Sequence, residues 1–102
     1  MIGSKQEPYE TNYSEKDAII YSLGIGFQQD SKNTGHFKYS YELNEPFVCY
    51  PTNAVTIAHG GAERDGLSEI PGMPEFNPMT ILHGEESILI EKPIKPNTKY
   101  VI

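Results

Sequence analysis

The chain lacks most of what commonly holds a very small protein together. It has no tryptophan, one cysteine and only 37% hydrophobic residues among 102. The single cysteine, Cys49, cannot form an intrachain disulfide, which excludes a stapled scaffold of the secreted type and favours a reducing compartment. A chain of this length buries only about 60 to 68% of the surface that its unfolded state exposes. We therefore expect one domain at most, with a thin core.

Basic residues and long apolar runs are also scarce. Eight Lys and Arg stand against fourteen Asp and Glu, which gives a formal net charge of −6. Such a chain repels polyphosphate and has no basic stripe, so nucleic acid is not an expected partner. No apolar run approaches the roughly 20 residues of a membrane span. These absences predict a soluble protein that binds neither nucleic acid nor membrane.

The first half of the chain carries the clearest secondary-structure signals. Residues 1–12 are polar without periodicity, which is typical of a flexible lead-in. Ser14 is a plausible N-cap for a helix that ends at Gly24 or Gly26. The apolar residues of this helix fall at helical spacing, at Ile19, Ile20, Leu23 and Phe27. Residues 37–43, "FKYSYEL", alternate between apolar and polar positions and predict a half-buried strand.

The second half is more irregular. In "PFVCYPTNAVTIA", Pro51 separates a short predicted strand from an element that could be helix or strand. Residues 59–78 contain four Gly and three Pro, which predicts a long irregular loop of the kind that either lines a site or is disordered. Residues 87–91 predict a strand, and "KPNTKYVI" predicts the start of another.

Nucleophile, metal and acid–base chemistry all have weak support in the residues alone. The histidines, His36, His59 and His83, do not share a zinc-ligand spacing, so no metal site is expected. Cys49 has no activating base nearby in sequence and is interpreted as a core residue on a strand. Asp30 and His36 could form an acid-oriented base, although the intervening Asn-Thr-Gly favours a polar loop.

The stretch "LHGEES" leaves a choice between chemistry and structure. His83 with Glu85 or Glu86 could serve a small hydrolase or dehydratase, or the residues could form a turn with solvated charges before a strand. A third interpretation is that the histidine and the following glycine contact a substrate. Composition and spacing do not decide among these.

Three stretches together resemble one known family. "YSLGIGF", then "ELNEPFVCYPT", then "IPGMPEFNPMTILHGEESILIEKPI" occur in the order and approximate spacing of the N-terminal half of 2-enoyl-CoA hydratase 2. This is the MaoC-like dehydratase region of peroxisomal multifunctional enzyme type 2. The resemblance covers residues 13–102, and "LHGEES" followed by an apolar strand is its most specific part.

The resemblance implies a fold and a function. The implied fold is α+β, a hot-dog-type antiparallel sheet with short helices, present here as an incomplete half-domain. Two such halves form one site that adds water to trans-2-enoyl-CoA and yields the (3R)-3-hydroxyacyl-CoA of fatty acid β-oxidation. The N-terminal half accommodates the acyl tail, and no cofactor is expected. The C-terminal half carries the catalytic residues in a motif of the form D-x-N-P-x-H.

That catalytic motif is missing from this sequence. "EFNPMT" aligns Glu75, Asn77 and Pro78 with the motif, but Thr80 stands where histidine is required, and a threonine hydroxyl cannot shuttle protons near neutral pH. The sequence therefore predicts no catalytic residue and no activity for the chain alone. By resemblance, His83 and Gly84 contact the bound acyl-CoA, with the imidazole donating a hydrogen bond and the glycine allowing close approach. The loop from His59 to Pro78 is the candidate flank of the acyl tail.

The resemblance also sets expectations about partners and location. The family's half-domain continues through further strands, whereas this chain ends at "KYVI", so we expect a fragment that pairs with the catalytic half. The parent enzyme is expected to be a homodimer in the peroxisome. The alternative from another class is a stand-alone module that binds lipid or acyl chains without chemistry.

Overall fold

The computed structural model describes residues 8–62 and 71–102. In this part of the chain, three short helices pack beside a two-stranded antiparallel sheet, an α+β arrangement that agrees with the predicted class. Strand β1 spans Glu10–Tyr13 and β2 spans Thr98–Val101. Helix α1 spans Glu15–Gly24, α2 spans Phe37–Ser40 and α3 spans Ala54–Ala62. Single 3₁₀ turns lie at Thr34–His36, Pro51–Asn53 and Pro78–Thr80.

The sheet joins the two ends of the described chain. Glu10 lies opposite Val101 and Tyr13 lies opposite Thr98. Residues 10–12 were expected to belong to a flexible lead-in, and that prediction is wrong for these three residues. Their backbone groups are ordered by pairing with β2, a long-range partner that the polar sequence does not reveal.

Helix α1 begins and ends as predicted. The Ser14 hydroxyl accepts a hydrogen bond from Asp17 N at 3.2 Å, and the Asp17 carboxylate accepts one from Ser14 N at 2.9 Å, which completes a capping box. The buried face differs from the predicted one. Ala18 and Ser22 are fully buried, whereas Ile20 is 57% exposed. Small residues face inward because they let the helix lie close against neighbouring segments.

The predicted strand at residues 37–43 is wrong. The structure instead has helix α2 at Phe37–Ser40, followed by a turn. Tyr39 packs against Phe27 at 4.8 Å and Tyr50 at 5.4 Å between ring centroids, and Phe27 and Tyr50 lie 5.1 Å apart. One helical turn thus completes a three-ring cluster. Tertiary aromatic packing has overridden a local alternation that suits a strand.

The other predicted elements have mixed outcomes. The stretch "PFVCY" before Pro51 and residues 87–91 form no strand in the structure, and only the strand near the C-terminus is confirmed. The element after Pro51 is helix α3, which resolves the ambiguity left by the sequence. This helix extends to Ala62, so His59 lies on a helix and the predicted loop cannot begin there. Of the remaining loop, residues 63–70 lie outside the described residues, and residues 71–77 are irregular.

The core is small, as the composition predicts. Tyr13, Ala18 and Cys49 form the buried apolar cluster, and Phe47, Ile57, Ile94 and Tyr100 pack partly buried against it. Cys49 is in the core as predicted, although on an irregular segment and not on a strand. The Tyr9 hydroxyl donates a hydrogen bond to the Ile57 carbonyl at 2.8 Å. This bond ties the start of the sheet to α3, which carries one side of the candidate site.

Candidate functional site

A carboxylate lies between two histidines on the surface. Glu86 Oε1 lies 3.3 Å from His59 Nε2, and Glu86 Oε2 lies 3.6 Å from His83 Nε2. The two imidazole centroids are 6.0 Å apart. His59 is on α3, whereas His83 and Glu86 belong to the irregular segment after the Pro78–Thr80 turn. We call these three residues the His–Glu–His cluster.

The cluster is open to solvent. The side chains of His59 and His83 are 55% and 66% exposed, and that of Glu86 is 30% exposed. Ion pairs at this exposure contribute little to stability, so the arrangement is not required to hold the fold. Within residues 8–62 and 71–102, no group of three or more His, Cys, Asp or Glu is arranged to hold a metal ion. At this exposure the ring atoms of both histidines are accessible from solvent.

Gly84 lies next to the cluster in open space. A β-carbon placed on Gly84 would meet no heavy atom within 4 Å. The chain's own packing does not require glycine here, and a ligand can approach the backbone from this side. The structure thus places both predicted binding residues, His83 and Gly84, at an accessible surface.

An apolar groove begins beside the cluster. It has a volume of about 290 Å³ and lies between α3, the segment from Ile88 to Ile94, and the end of β2 with the following Ile102. Ala58, directly before His59, and Ile88, two residues after Glu86, both line it. The cluster and the groove are thus neighbours along the chain at two places, on α3 and on the segment after Glu86, although the cluster residues themselves do not line the groove. An apolar groove with polar side chains nearby is an arrangement common at ligand-binding sites.

The Asp30–His36 pair does not form. Asp30 Oδ1 accepts a hydrogen bond from Lys32 N at 2.9 Å, and His36 Nδ1 accepts one from Gln28 N at 3.2 Å. The His36 ring also packs edge-on against Phe27, with 4.8 Å between centroids. Both side chains stabilise their own loop, as the polar-loop interpretation predicts.

Cys49 does not have the environment of a nucleophile. It is 4% exposed, and burial raises the pKa of its thiol, opposed by a hydrogen bond to Tyr13. A reactive cysteine needs a lowered pKa and solvent access, and this residue has neither. It is a core residue.

The "EFNPMT" stretch has a structural role. Asn77 Oδ1 accepts a hydrogen bond from Met79 N at 3.0 Å, and the Thr80 hydroxyl donates one to the Asn77 carbonyl at 2.7 Å. The asparagine caps a short turn, and the threonine closes it. The residues that partly match the acid–base motif therefore make the hydrogen bonds of a turn.

A buried polar network was not predicted. Asn53, 1% exposed, donates to the Tyr13 hydroxyl and accepts from the Thr56 hydroxyl. Burial, and secondarily Cys49, raise the pKa of Tyr13, while the Asn53 hydrogen bond acts in the opposite direction. The phenol therefore stays protonated. The three residues line a second cleft of about 360 Å³, and among the described residues no histidine or cysteine belongs to its walls. The one available signal was a lone asparagine at the start of the apolar run "NAVTIA".

A comparison with known proteins identifies the family. The model for the MFE-2 hydratase 2 N-terminal domain matches residues 11–101. The chain belongs to this family. It is 36% identical over 93 residues to mouse peroxisomal multifunctional enzyme type 2. The matched region covers 91% of this chain and 12% of the mouse protein. It is 37% identical over 98 residues to the probable enoyl-CoA hydratase 2 of Dictyostelium discoideum, covering 93% of this chain and 31% of that protein.

Further relatives carry similar names. The chain is 34% identical over 97 residues to the peroxisomal enoyl-CoA hydratase 2 of Arabidopsis thaliana, with 92% of this chain and 30% of that protein covered. The chain thus spans less than one third of the length of these relatives. No solved structure gives a significant match. Across residues 8–62 and 71–102, every helix is too short or too polar to cross a bilayer.

Proposed function

We propose that this chain is the acyl-CoA-accommodating, non-catalytic half of a 2-enoyl-CoA hydratase 2 that converts trans-2-enoyl-CoA to the (3R)-3-hydroxyacyl-CoA in fatty acid β-oxidation. The observation that carries this proposal is the match of residues 11–101 to the N-terminal domain of that enzyme. Relatives named enoyl-CoA hydratase 2 support the reaction class.

The shape of the candidate site supports a role in holding substrate. The apolar groove of about 290 Å³ suits part of an acyl tail, and two of its lining residues, Ala58 and Ile88, lie next to the His–Glu–His cluster along the chain. Gly84 leaves room for a ligand against the backbone. In this proposal His83 and Gly84 contact the CoA-linked end of the substrate while the tail runs along the groove.

The chemistry is assigned to another part of the complete enzyme. The 102 residues contain no D-x-N-P-x-H motif, and their partial match at "EFNPMT" forms a turn. Hydration needs a group that exchanges protons near neutral pH at the attacking water. A separate catalytic half supplies that group in this proposal, so the chain alone has no hydratase activity.

Exposed apolar side chains favour such a partner. Leu82 is 90% exposed and Leu89 is 87% exposed, and both lie in the segment that carries His83 and Glu86. Closely spaced exposed apolar residues mark surfaces that other protein elements cover. We assign this segment to the contact with the catalytic half. Residues 13–102 then form the first part of a hot-dog half-domain, with β1 adding residues 10–12 to it, within a homodimeric peroxisomal parent enzyme.

Complementation tests the proposal directly. Hydration of trans-2-decenoyl-CoA is measured with this chain alone, with a separately produced half carrying the D-x-N-P-x-H motif, and with their mixture, after circular dichroism has shown both parts folded. Activity only in the mixture, giving the (3R) product, is the expected result. Activity of this chain alone would overturn the proposal and return His83 with Glu86 as a catalyst.

The apolar groove also supports the stand-alone acyl-binding module as a second candidate. A module of that kind would bind free fatty acid as tightly as the corresponding acyl-CoA and would produce no hydration in the mixture. The proposed function requires the opposite, because His83 and Gly84 recognise the CoA-linked end. Parallel binding titrations with decanoic acid and decanoyl-CoA separate the two.

A further inference from the structure

We infer that His83 meets its ligand through Nδ1 acting as a hydrogen-bond acceptor, and that Glu86 and His59 set this polarity as positioning residues. The inference rests on the proposed function and specifies the contact made at that site. It reverses the hydrogen-bond direction expected from the sequence, in which the imidazole donates to the ligand. It also names two residues, His59 and Glu86, as part of the substrate-binding arrangement.

The Glu86 carboxylate lies between the two imidazole rings. Its Oε2 lies 3.6 Å from His83 Nε2, while its Oε1 is held by His59 Nε2 at 3.3 Å. The distance to His83 is longer than a hydrogen bond, so the effect on that ring is one of charge. A neutral imidazole places its proton on the nitrogen nearest a negative charge, because that N–H dipole is then attracted to the carboxylate. The proton of His83 therefore resides on Nε2.

The charges around Glu86 allow this effect. The groups that face it are His59 from α3 and His83 from its own segment, and no Lys or Arg among residues 8–62 and 71–102 forms an ion pair with it. Its charge is therefore directed at the two rings. His59 fixes the carboxylate from the opposite side, so that Oε2 stays turned toward His83.

The other ring nitrogen of His83, Nδ1, remains free to bind a ligand. Among the described residues no hydrogen bond involves His83 Nδ1, and the side chain is 66% exposed. An unprotonated ring nitrogen accepts hydrogen bonds and cannot donate them. The ligand must therefore offer an N–H or O–H group. The thioester carbonyl of an acyl-CoA has neither, whereas the pantetheine arm has amide N–H groups and a hydroxyl.

His83 therefore has a binding role and no catalytic role. It binds the pantetheine arm of the coenzyme and does not polarise the thioester carbonyl. It fixes how far the acyl tail reaches along the apolar groove, which Ala58 and Ile88 line. Its contribution is to affinity and register, which matches a half-domain without catalytic residues.

The decisive test uses two amide replacements of His83. In His83→Asn the amide occupies the position of Nδ1, and in His83→Gln it occupies the position of Nε2. Affinity for decanoyl-CoA is measured by isothermal titration calorimetry on the full 102-residue chain. We expect His83→Asn to bind within about twofold of wild type, and His83→Gln and His83→Ala to bind roughly three- to tenfold more weakly, the range for one neutral hydrogen bond. The reverse order of Asn and Gln would overturn the inference.

A matched pair of glutamate variants tests the positioning role. Glu86→Gln removes the charge beside His83 and is expected to weaken decanoyl-CoA binding about threefold, whereas Glu85→Gln, one residue earlier, leaves it unchanged. Equal effects of the two variants would show that only overall charge matters, and would overturn the role of Glu86. His59→Gln, which keeps a polar group on α3, is expected to retain more affinity than His59→Ala.

A ligand-free readout keeps this inference separable from the proposed function. A nuclear Overhauser effect between the His59 and His83 rings is expected in the wild-type chain, since their centroids are 6.0 Å apart, and is expected to disappear in Glu86→Ala. Its absence from wild type would overturn the Glu86-held arrangement. If wild type shows the effect but does not bind decanoyl-CoA, the proposed function fails, the ligand contact fails with it, and the arrangement itself stands.

Discussion

Asn53 and Tyr13, 40 residues apart in the chain, are joined by a hydrogen bond from the Asn53 amide to the Tyr13 hydroxyl in the buried interior. The bond connects the 3₁₀ turn directly before α3 to the end of β1, and Thr56, on α3, completes the network. In a core with so few apolar residues, this polar link is one of the main ties between helix and sheet.

Removing Asn53 should therefore destabilise the fold. Asn53→Ala leaves the Tyr13 hydroxyl buried without its donor, which costs about 1 to 3 kcal/mol of unfolding free energy. Urea titration followed by circular dichroism measures the loss. Asn12→Ala, at an exposed position of β1, is the control and should stay within about 0.5 kcal/mol of wild type. Equal effects of the two substitutions would contradict a structural role for the network.

The Ser22→Ala substitution should instead stabilise the fold. Ser22 is fully buried on α1, and its hydroxyl has no hydrogen-bond partner among the described residues. Replacing an unsatisfied buried hydroxyl with a methyl group removes a desolvation penalty, and alanine also favours the helix. We expect a gain of about 1 kcal/mol in the same urea titration. Ser40→Ala provides the contrast, because that hydroxyl donates to the His36 carbonyl at 3.1 Å and its loss should destabilise.

These residues also show what sequence patterns could and could not predict. The Ser14 cap and the end of α1 were predicted because they depend on a few neighbouring residues. Strand β1 and helix α2 were missed because distant partners decide them: the pairing with β2 and the Phe27–Tyr39–Tyr50 ring cluster. Local alternation carries no information about such contacts.

The residues of the candidate site were likewise only partly predictable from the sequence. His83 and Gly84 were singled out by resemblance to a family, which identifies positions without their surroundings. Glu86 was considered as an acid partner of His83, but His59 was not connected to either residue, because 27 residues separate it from Glu86 and α3 was not assigned with certainty from sequence. The folding of residues 54–62 as a helix brings His59 opposite Glu86, and no local pattern expresses that relation.

The capping box of α1 should respond to acid. Hydrogen bonds from the Ser14 hydroxyl and, secondarily, its backbone N–H lower the pKa of Asp17 from its ordinary value of 3.8. A lowered carboxyl pKa stabilises the folded state fully above the ordinary value, and this contribution is lost as the pH falls through the folded value. The stability difference between wild type and Asp17→Asn should therefore shrink between neutral pH and a pH well below 3.8. A constant difference across that range would contradict the capping interaction.

Cys49 should be slow to react. Its thiol is buried and its raised pKa keeps it protonated, so the reactive thiolate is rare. We expect 5,5′-dithiobis(2-nitrobenzoic acid) to modify Cys49 at least about tenfold more slowly in native buffer than in about 6 M guanidinium chloride. That concentration is high enough to unfold even very stable proteins. Adding decanoyl-CoA should leave the native rate nearly unchanged, because Cys49 does not line the apolar groove. Rapid labelling of the native chain would contradict its place in the core.

Filling the apolar groove should shorten the acyl chains that the protein accepts. Ala58 lines the groove from α3, and Ala58→Phe adds a ring to a space of about 290 Å³. Each buried methylene of a ligand contributes about 0.8 kcal/mol, so affinity should rise with acyl length in wild type and level off earlier in the variant. Calorimetric titration with butanoyl-, octanoyl- and dodecanoyl-CoA measures both trends. Ile20→Phe, which enlarges a residue of the other cleft, is the matched control and should keep the wild-type trend. If Ala58→Phe weakens all three ligands equally, the groove does not hold the tail, and the acyl chain must follow another surface from His83.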